Sequence, residues 1–216
     1  MRKPALVIML FLNLGVATAA DTASWTKWEG TPGTPTGTFV QNNNTIEVTY
    51  TGQFFSIDND ARIFDSVPTS FTGSAVTNTP GNSGSIRMTG GDEEVNNFHF
   101  SQAVIDPLIA IWSVGRPSAP VTFNFDSPFT ILSQGGGYWG GGSLTQSGNS
   151  LTGLEGNGLL QLKGTYTDIS FTTPDYEYYY GITVGGLISA VPEPQTYAMF
   201  LSGLGFMCYM ARRRKY

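Results

Sequence analysis

Leu108-Ile109-Ala110-Ile111-Trp112 is continuously apolar and runs on through Ser113 and Val114 to Gly115. A strand with no polar face suits the centre of a sheet that is covered on both sides. Its neighbours read differently. In 121–126, Val121, Phe123 and Phe125 share one face, with Thr122 and Asn124 opposite, the period of a half-buried strand. Ile46, Val48 and Tyr50 alternate with Glu47 and Thr49 in the same way. Further strands are expected at 85–89, 97–104, 129–133, 159–163, 168–171 and 180–184. Glycine, proline and asparagine clusters between 69 and 84 carry no sustained helical period, and no internal repeat stands out. Many short strands with turn signals between them predict an all-β domain, a β-sandwich or jelly roll, over residues 45–190. Ahead of it, 20–44 reads as a Thr/Pro/Gly-rich lead-in around Thr31-Pro32-Gly33-Thr34-Pro35-Thr36-Gly37, a spacer or loosely attached arm.

Both ends of the chain read as processing segments. Met1-Arg2-Lys3 is a basic n-region, 5–16 an apolar h-region, and Ala17-Thr18-Ala19 offers the small residues of a signal peptidase site. Residues 1–19 are therefore expected to be a signal peptide, with Ala17 and Ala19 flanking the cleavage determinant. At the other end Val191-Pro192-Glu193-Pro194 precedes an uncharged run from Tyr197 to Ala211, then Arg212, Arg213, Arg214 and Lys215. Two prolines cannot continue a helix, so the helix is expected after Glu193. Fifteen residues make a helix of about 22 Å, short for a hydrocarbon core of about 30 Å. Snorkelling arginines narrow that gap, and four cations keep their end cytoplasmic.

These residues resemble a PEP-CTERM sorting signal: Pro-Glu-Pro, a short span holding Ser202-Gly203-Leu204-Gly205, then an arginine cluster. The resemblance covers 191–216. It implies a Gram-negative bacterium that makes extracellular polysaccharide, and an inner-membrane exosortase acting at or near Pro192-Glu193-Pro194. That tripeptide would then be read by another enzyme. Two stretches of the ectodomain are also similar to PEP-CTERM ectodomains. One runs from Phe98-His99-Phe100 through Asp106-Pro107 to Gly115; the other is Leu151-Thr152-Gly153-Leu154-Glu155-Gly156-Asn157-Gly158, with Ile182-Thr183-Val184-Gly185 nearer the tail. This likeness implies a β-sandwich of undefined biochemical role.

Composition narrows the partners. Between Ala20 and Ala190 lie 15 acidic and 5 basic residues, a formal charge of −10. Such a domain offers no cationic patch for nucleic acid or anionic lipid. The single cysteine, Cys208, lies in the expected membrane span, so the exported part has no disulfide and depends on its core.

Catalytic signals are sparse. His99 is the only histidine, set between Phe98 and Phe100 so that on a strand it points away from both rings. No serine or cysteine stands in an activating motif, and no His-Glu-x-x-His or cysteine–histidine metal spacing occurs. Carboxylate pairs for glycoside hydrolysis are numerous but none is favoured by spacing. Asp58-Asn59-Asp60 with Asp65 has oxygen ligands at short spacing, a candidate Ca²⁺ loop, against the plainer reading of a solvated turn. Asp92-Glu93-Glu94 reads as an exposed loop.

Gly135-Gly136-Gly137-Tyr138-Trp139-Gly140-Gly141-Gly142 carries the strongest binding signal. Glycines on both sides deny Tyr138 and Trp139 the flanking side chains that would bury them, and flat exposed rings stack on sugar faces. The opposing reading is a flexible hairpin whose tryptophan folds back as a plug. Tyr176, Tyr178, Tyr179 and Tyr180 offer a second aromatic surface or ordinary core.

The sequence thus predicts an exported protein without enzymatic activity or cofactor, passing through an inner-membrane stage to the cell surface or exopolysaccharide matrix. There it would be a structural or carbohydrate-interacting component. The competing expectations are a polysaccharide-modifying enzyme of hydrolase or lyase type, and a protein-binding adhesin. Replacing Glu193 by alanine should leave the protein uncleaved in the inner membrane, as followed by fractionation and immunoblotting; unchanged release would contradict exosortase recognition.

Overall fold

The computed structural model describes residues 22–30, 33–73 and 76–188, together with Phe200, Ser202, Gly203, Leu204, Met207 and Met210. In chain order the strands are β1 (Thr22–Trp25), β2 (Lys27–Glu29), β3 (Thr36–Gln41), β4 (Asn44–Thr51) and β5 (Ser56–Asp58). A one-turn helix α1 (Arg62–Asp65) and a 3₁₀ turn (Pro68–Ser70) come next. Then follow β6 (Ser85–Met88), β7 (Asp92–Ile105), β8 (Leu108–Val114), β9 (Val121–Phe125) and β10 (Thr130–Gly135). The last are β11 (Ser143–Ser147), β12 (Ser150–Leu154), β13 (Gly156–Gln161), β14 (Thr165–Thr173) and β15 (Tyr180–Ile188).

They form two sheets, antiparallel in every ladder among the described residues. One has seven strands in the order β10-β13-β8-β15-β6-β5, with β1 also pairing β15. The other has eight, in the order β11-β12-β9-β14-β7-β4-β3-β2. The protein is a β-sandwich, with more strands than the eight of a jelly roll.

All seven residues of β8 are buried, as its unbroken apolar run predicts. The two faces are covered by different things. Ile109 and Ile111 join the core between the sheets, where Phe98, Phe123 and Phe171 pack at centroid distances of 5.5–5.9 Å. Leu108, Ala110 and Trp112 face the other way, into a second core closed by Trp25, Ile63, Phe64, Phe71 and Val76. The segment around α1 is thus a lid on the outer face of the seven-stranded sheet. Trp112 is fully buried beneath it and its indole N–H donates to Ser85 Oγ at 2.9 Å.

β8 ends in a bulge. Gly158 opposes Ile111 while Gly156 opposes Val114, so β8 holds one extra residue, and Ser113 sits at φ 53°. The bulge restores Val114 to the inter-sheet core, and the freed Ser113 N–H donates to buried Asn157 Oδ1 at 2.9 Å.

The lead-in expectation is corrected. Strands begin at Thr22, not near Thr45: β1, β2 and β3 lie within 20–44, with Trp25, Trp28 and Phe39 buried. β1 occupies the flank of β15 that β6 leaves free, and Thr26 N–H donates to Val184 O at 3.0 Å where the chain crosses to the other sheet. The tryptophans hold this segment down, and Trp28 Nε1 donates to Thr183 Oγ1 at 2.9 Å. β5, β11 and β12 also go beyond the expected strands; their serine, threonine and glycine content hides the alternation.

The register gives the sandwich two distinct ends. β15 starts opposite Met88 and Trp112 and finishes opposite Thr22 and Leu108. The connections 89–91, 115–120, 136–142 and 174–179 gather at the starting end. The turns at 106–107 and 162–164 lie at the finishing end, where the tail departs. The nine residues of β15, eight steps of about 3.3 Å, separate the two ends by roughly 26 Å.

The signal-peptide residues, including Ala17 and Ala19, lie outside the described residues, as do Val191, Pro192, Glu193, Pro194 and Arg212, Arg213, Arg214, Lys215. The described tail positions are helical, and among the described residues no helix is long and apolar enough to cross a membrane. Truncating Trp112 to alanine should open a cavity between sheet and lid and cost about 3–5 kcal/mol, measured by chemical denaturation of the 22–188 domain.

Candidate functional site

The end remote from the tail carries a connected set of aromatic rings. Trp139 and Tyr138 are 45% and 37% exposed and meet edge-on at 4.2 Å between centroids. Trp139 meets Tyr179 edge-on at 5.1 Å, and Tyr179 stands 5.0 Å from the buried Trp112. The Arg87 guanidinium lies 4.0 Å from the Tyr179 ring, 4.2 Å from Phe55 and 5.2 Å from Tyr178. Arg62 caps the opposite side, 5.0 Å over Tyr138. Phe55, Tyr176 and Tyr178 are each more than half exposed. The set is a ridge of rings rooted on the second core.

Trp139 is therefore neither a free ring nor a plug. One edge is packed on Tyr179, and the rest borders a shallow cleft of about 620 Å³ lined by Pro117, Gly140, Gly142, Leu154 and Glu155. The loop is not a hairpin, since it crosses from β10 in one sheet to β11 in the other. Its glycines serve close approach. A Cβ on Gly142 would fall 1.4 Å from Leu154 O, one on Gly137 2.3 Å from the Asn157 amide, and one on Gly140 2.4 Å from the Glu155 carboxylate. Hydrogen bonds fasten the loop: Gly142 N–H to Glu155 O at 3.1 Å, Ser70 Oγ to Gly136 O at 2.6 Å, and Leu144 N–H to Gln134 Oε1 at 2.8 Å. Packing and these hydrogen bonds hold the rings in place.

Tyr179 and Arg87 belong to the ridge, and no sequence signal pairs them with Trp139. Each lies 40 or more residues from it, so only the folded chain brings them together. Tyr179 donates its hydroxyl to Asp58 Oδ2 at 2.6 Å, and burial with that bond pushes its pKa up to about 12.

The candidate calcium ligands do not converge. Asp58 receives Tyr179, Asp60 is gripped by Arg62 through side-chain bonds that hold its carboxyl below the usual range, and Asp65 receives Thr79. Among the described residues no group of three or more His, Cys, Asp or Glu side chains is placed to hold a metal ion. His99 is exposed on β7, and its Nδ1 lies 2.9 Å from Asp168 Oδ1.

The tail supplies the other functional element. The family model for the PEP-CTERM protein-sorting motif matches residues 190–215. The chain carries a PEP-CTERM sorting motif. Such a motif is recognised by an exosortase and directs export to the cell surface through a membrane-associated step. The match covers the tail and not the sandwich. No curated protein matches the chain, and no solved structure matches it.

Within the sandwich, Glu177 has an unusual setting. It lies between exposed Tyr176 and Tyr178 but points inward, 4% exposed, and accepts Gly115 N–H on Oε2 at 2.6 Å. Burial pushes its pKa from 4.5 to about 7; the Gly115 bond opposes this, nearby Glu155 adds to it and Arg116 opposes it. The folded carboxyl keeps its proton to about pH 7, whereas the unfolded one releases it near 4.5. The folded state thus binds more protons across that window, and stability falls as pH rises through it. Thermal melts from pH 4.5 to 8 should show a loss of up to about 3 kcal/mol that Glu177→Gln flattens.

Proposed function

We propose that this exported protein is a non-catalytic surface component that binds carbohydrate through the aromatic ridge at its outer end and acts within an exopolysaccharide matrix. One observation carries the reading: Tyr138 and Trp139 are exposed, rigidly mounted and on the end of the sandwich opposite the tail. A tail-anchored domain presents that end outward, away from the bilayer. Contiguous exposed apolar surface on a soluble domain marks a ligand or partner site. Flat rings with polar edges suit the apolar faces of pyranose rings, with Tyr hydroxyls and the Arg62 and Arg87 guanidinium groups at the margins to meet sugar hydroxyls. No cofactor is invoked.

Polysaccharide cleavage is the second reading. Glu155 borders the same cleft as Trp139, and the carboxyl of nearby Glu177 has its pKa pushed up to about 7 by burial, the kind of shift a general acid needs. Release of reducing sugar by the purified domain, abolished in Glu155→Gln, would favour it over binding alone.

The binding reading predicts that Trp139→Ala weakens retention on the producing cells' exopolysaccharide, or on soluble β-glucan, at least tenfold in affinity electrophoresis. Because only part of the ring is packed, the same change should cost no more than about 2 kcal/mol of stability. Unaltered retention in the mutant would remove the ridge from carbohydrate binding.

A further inference from the structure

The first and last strands of the sandwich are partners. Thr22 opposes Ile188, Ala23 opposes Leu187 and Trp25 opposes Gly185, so both ends of the domain leave from the same corner. Three turns share that end. Asn42 and Asn43 join β3 to β4 at positive φ, Asp106-Pro107 joins β7 to β8, and 162–164 joins β13 to β14. They are tied to one another. Gln41 Nε2 donates to Ile105 O at 2.8 Å and its Oε1 accepts Ile105 N–H at 2.8 Å. Asp106 accepts Lys163 Nζ at 3.0 Å and Gly164 N–H at 2.8 Å. The result is a braced surface, not three separate loops.

The sorting motif starts at residue 190, two positions beyond the last residue of β15. Only residues 189, 190 and 191 separate Ile188 from Pro192. At no more than about 3.6 Å per residue, four steps place Pro192 within roughly 14 Å of Ile188 whatever path the chain takes. An enzyme that encloses Pro192-Glu193-Pro194 must set folded protein around the bound chain. A single layer of helix or sheet is itself about 10 Å thick. A layer of that thickness fills most of the space the tether allows, so the rim of that enzyme lies close to the turns at the end of the sandwich.

We propose that this end of the sandwich, formed by the turns at 42–43, 106–107 and 162–164, is a contact surface for the exosortase. The enzyme then reads the folded domain together with the motif. The close tether adds a second contact to a short-peptide encounter: the motif sits in the cleft while the braced turns meet the rim. A second contact on the same molecule is made at high effective concentration, so even a small one raises the rate at which the motif is engaged. The proposal rests on the sorting motif and is independent of what the aromatic ridge binds.

The test uses the full chain in cells that contain the exosortase, with processing followed by pulse–chase and loss of the tail from membranes. A twelve-residue Gly/Ser spacer inserted after Ile188 leaves motif and fold intact but frees the enzyme from the sandwich. Processing should slow at least threefold. Asn43→Asp with Lys163→Ala changes two exposed turn side chains, and Asn and Asp both tolerate positive φ. This pair should slow processing of the unspaced chain and have no further effect in the spaced one, with an unchanged melting temperature showing that the fold is kept. A spaced chain processed at the original rate or faster would overturn the proposal, as would an unspaced double variant processed normally. Either result would mean that the motif alone is read.

Discussion

A strand apolar on both faces has to be covered on both faces, and much of this structure follows from how β8 meets that demand. Leaving Leu108, Ala110 and Trp112 in water would forfeit the burial that stabilises the sheet, at about 25 cal/mol per Å² of apolar surface. The second sheet covers Ile109 and Ile111. The lid built from α1, Phe71 and Val76, with Trp25 from β1, covers the opposite face. The lid in turn leaves Tyr179 lying over Trp112, and Trp139 leans on Tyr179. The outer ridge is therefore an extension of a packing problem solved inside the sheet, which explains how a glycine-rich loop holds two large rings in fixed positions.

The sequence pattern makes the centre of the fold legible and leaves its margins obscure. β8, β9 and β4 are readable because branched and aromatic residues fall at period two or in an unbroken run. β1 to β3 are not. Trp25, Trp28 and Phe39 are each flanked by threonine, glycine or lysine, and nearby Thr31 to Gly37 resembles a linker. What fixes that segment is non-local: Thr26 and Trp28 bond to Val184 and Thr183 more than 150 residues away. Gln41 and Asn157 would each count as surface residues by type, yet both are buried and satisfied by backbone partners. Local composition cannot report a hydrogen bond whose other half is elsewhere in the chain.

The candidate site divides in the same way. Tyr138 and Trp139 are visible because glycines isolate them, although the glycines work by letting the loop press against Leu154, Asn157 and Glu155 and not by leaving the rings bare. Phe55, Arg87 and Tyr179 are invisible as a group, since they come from three separated strands and connections. Asp58, Asp60 and Asp65 show the converse. Close spacing suggests shared work, and folding gives each carboxylate a separate partner.

The place where the tail leaves has a mechanical meaning. Any pull applied through the tail enters at Ile188, the end of a strand bonded on one flank to β8 and on the other to β6 and then β1. Tension along β15, resisted by a grip at the opposite end, loads those ladders lengthwise. Many bonds must slide together before one yields. A tail leaving from an outermost strand would peel its pairs apart singly, under far less force. The strand order thus gives the domain its greatest resistance along the line that joins Ile188 to the opposite end of the sandwich.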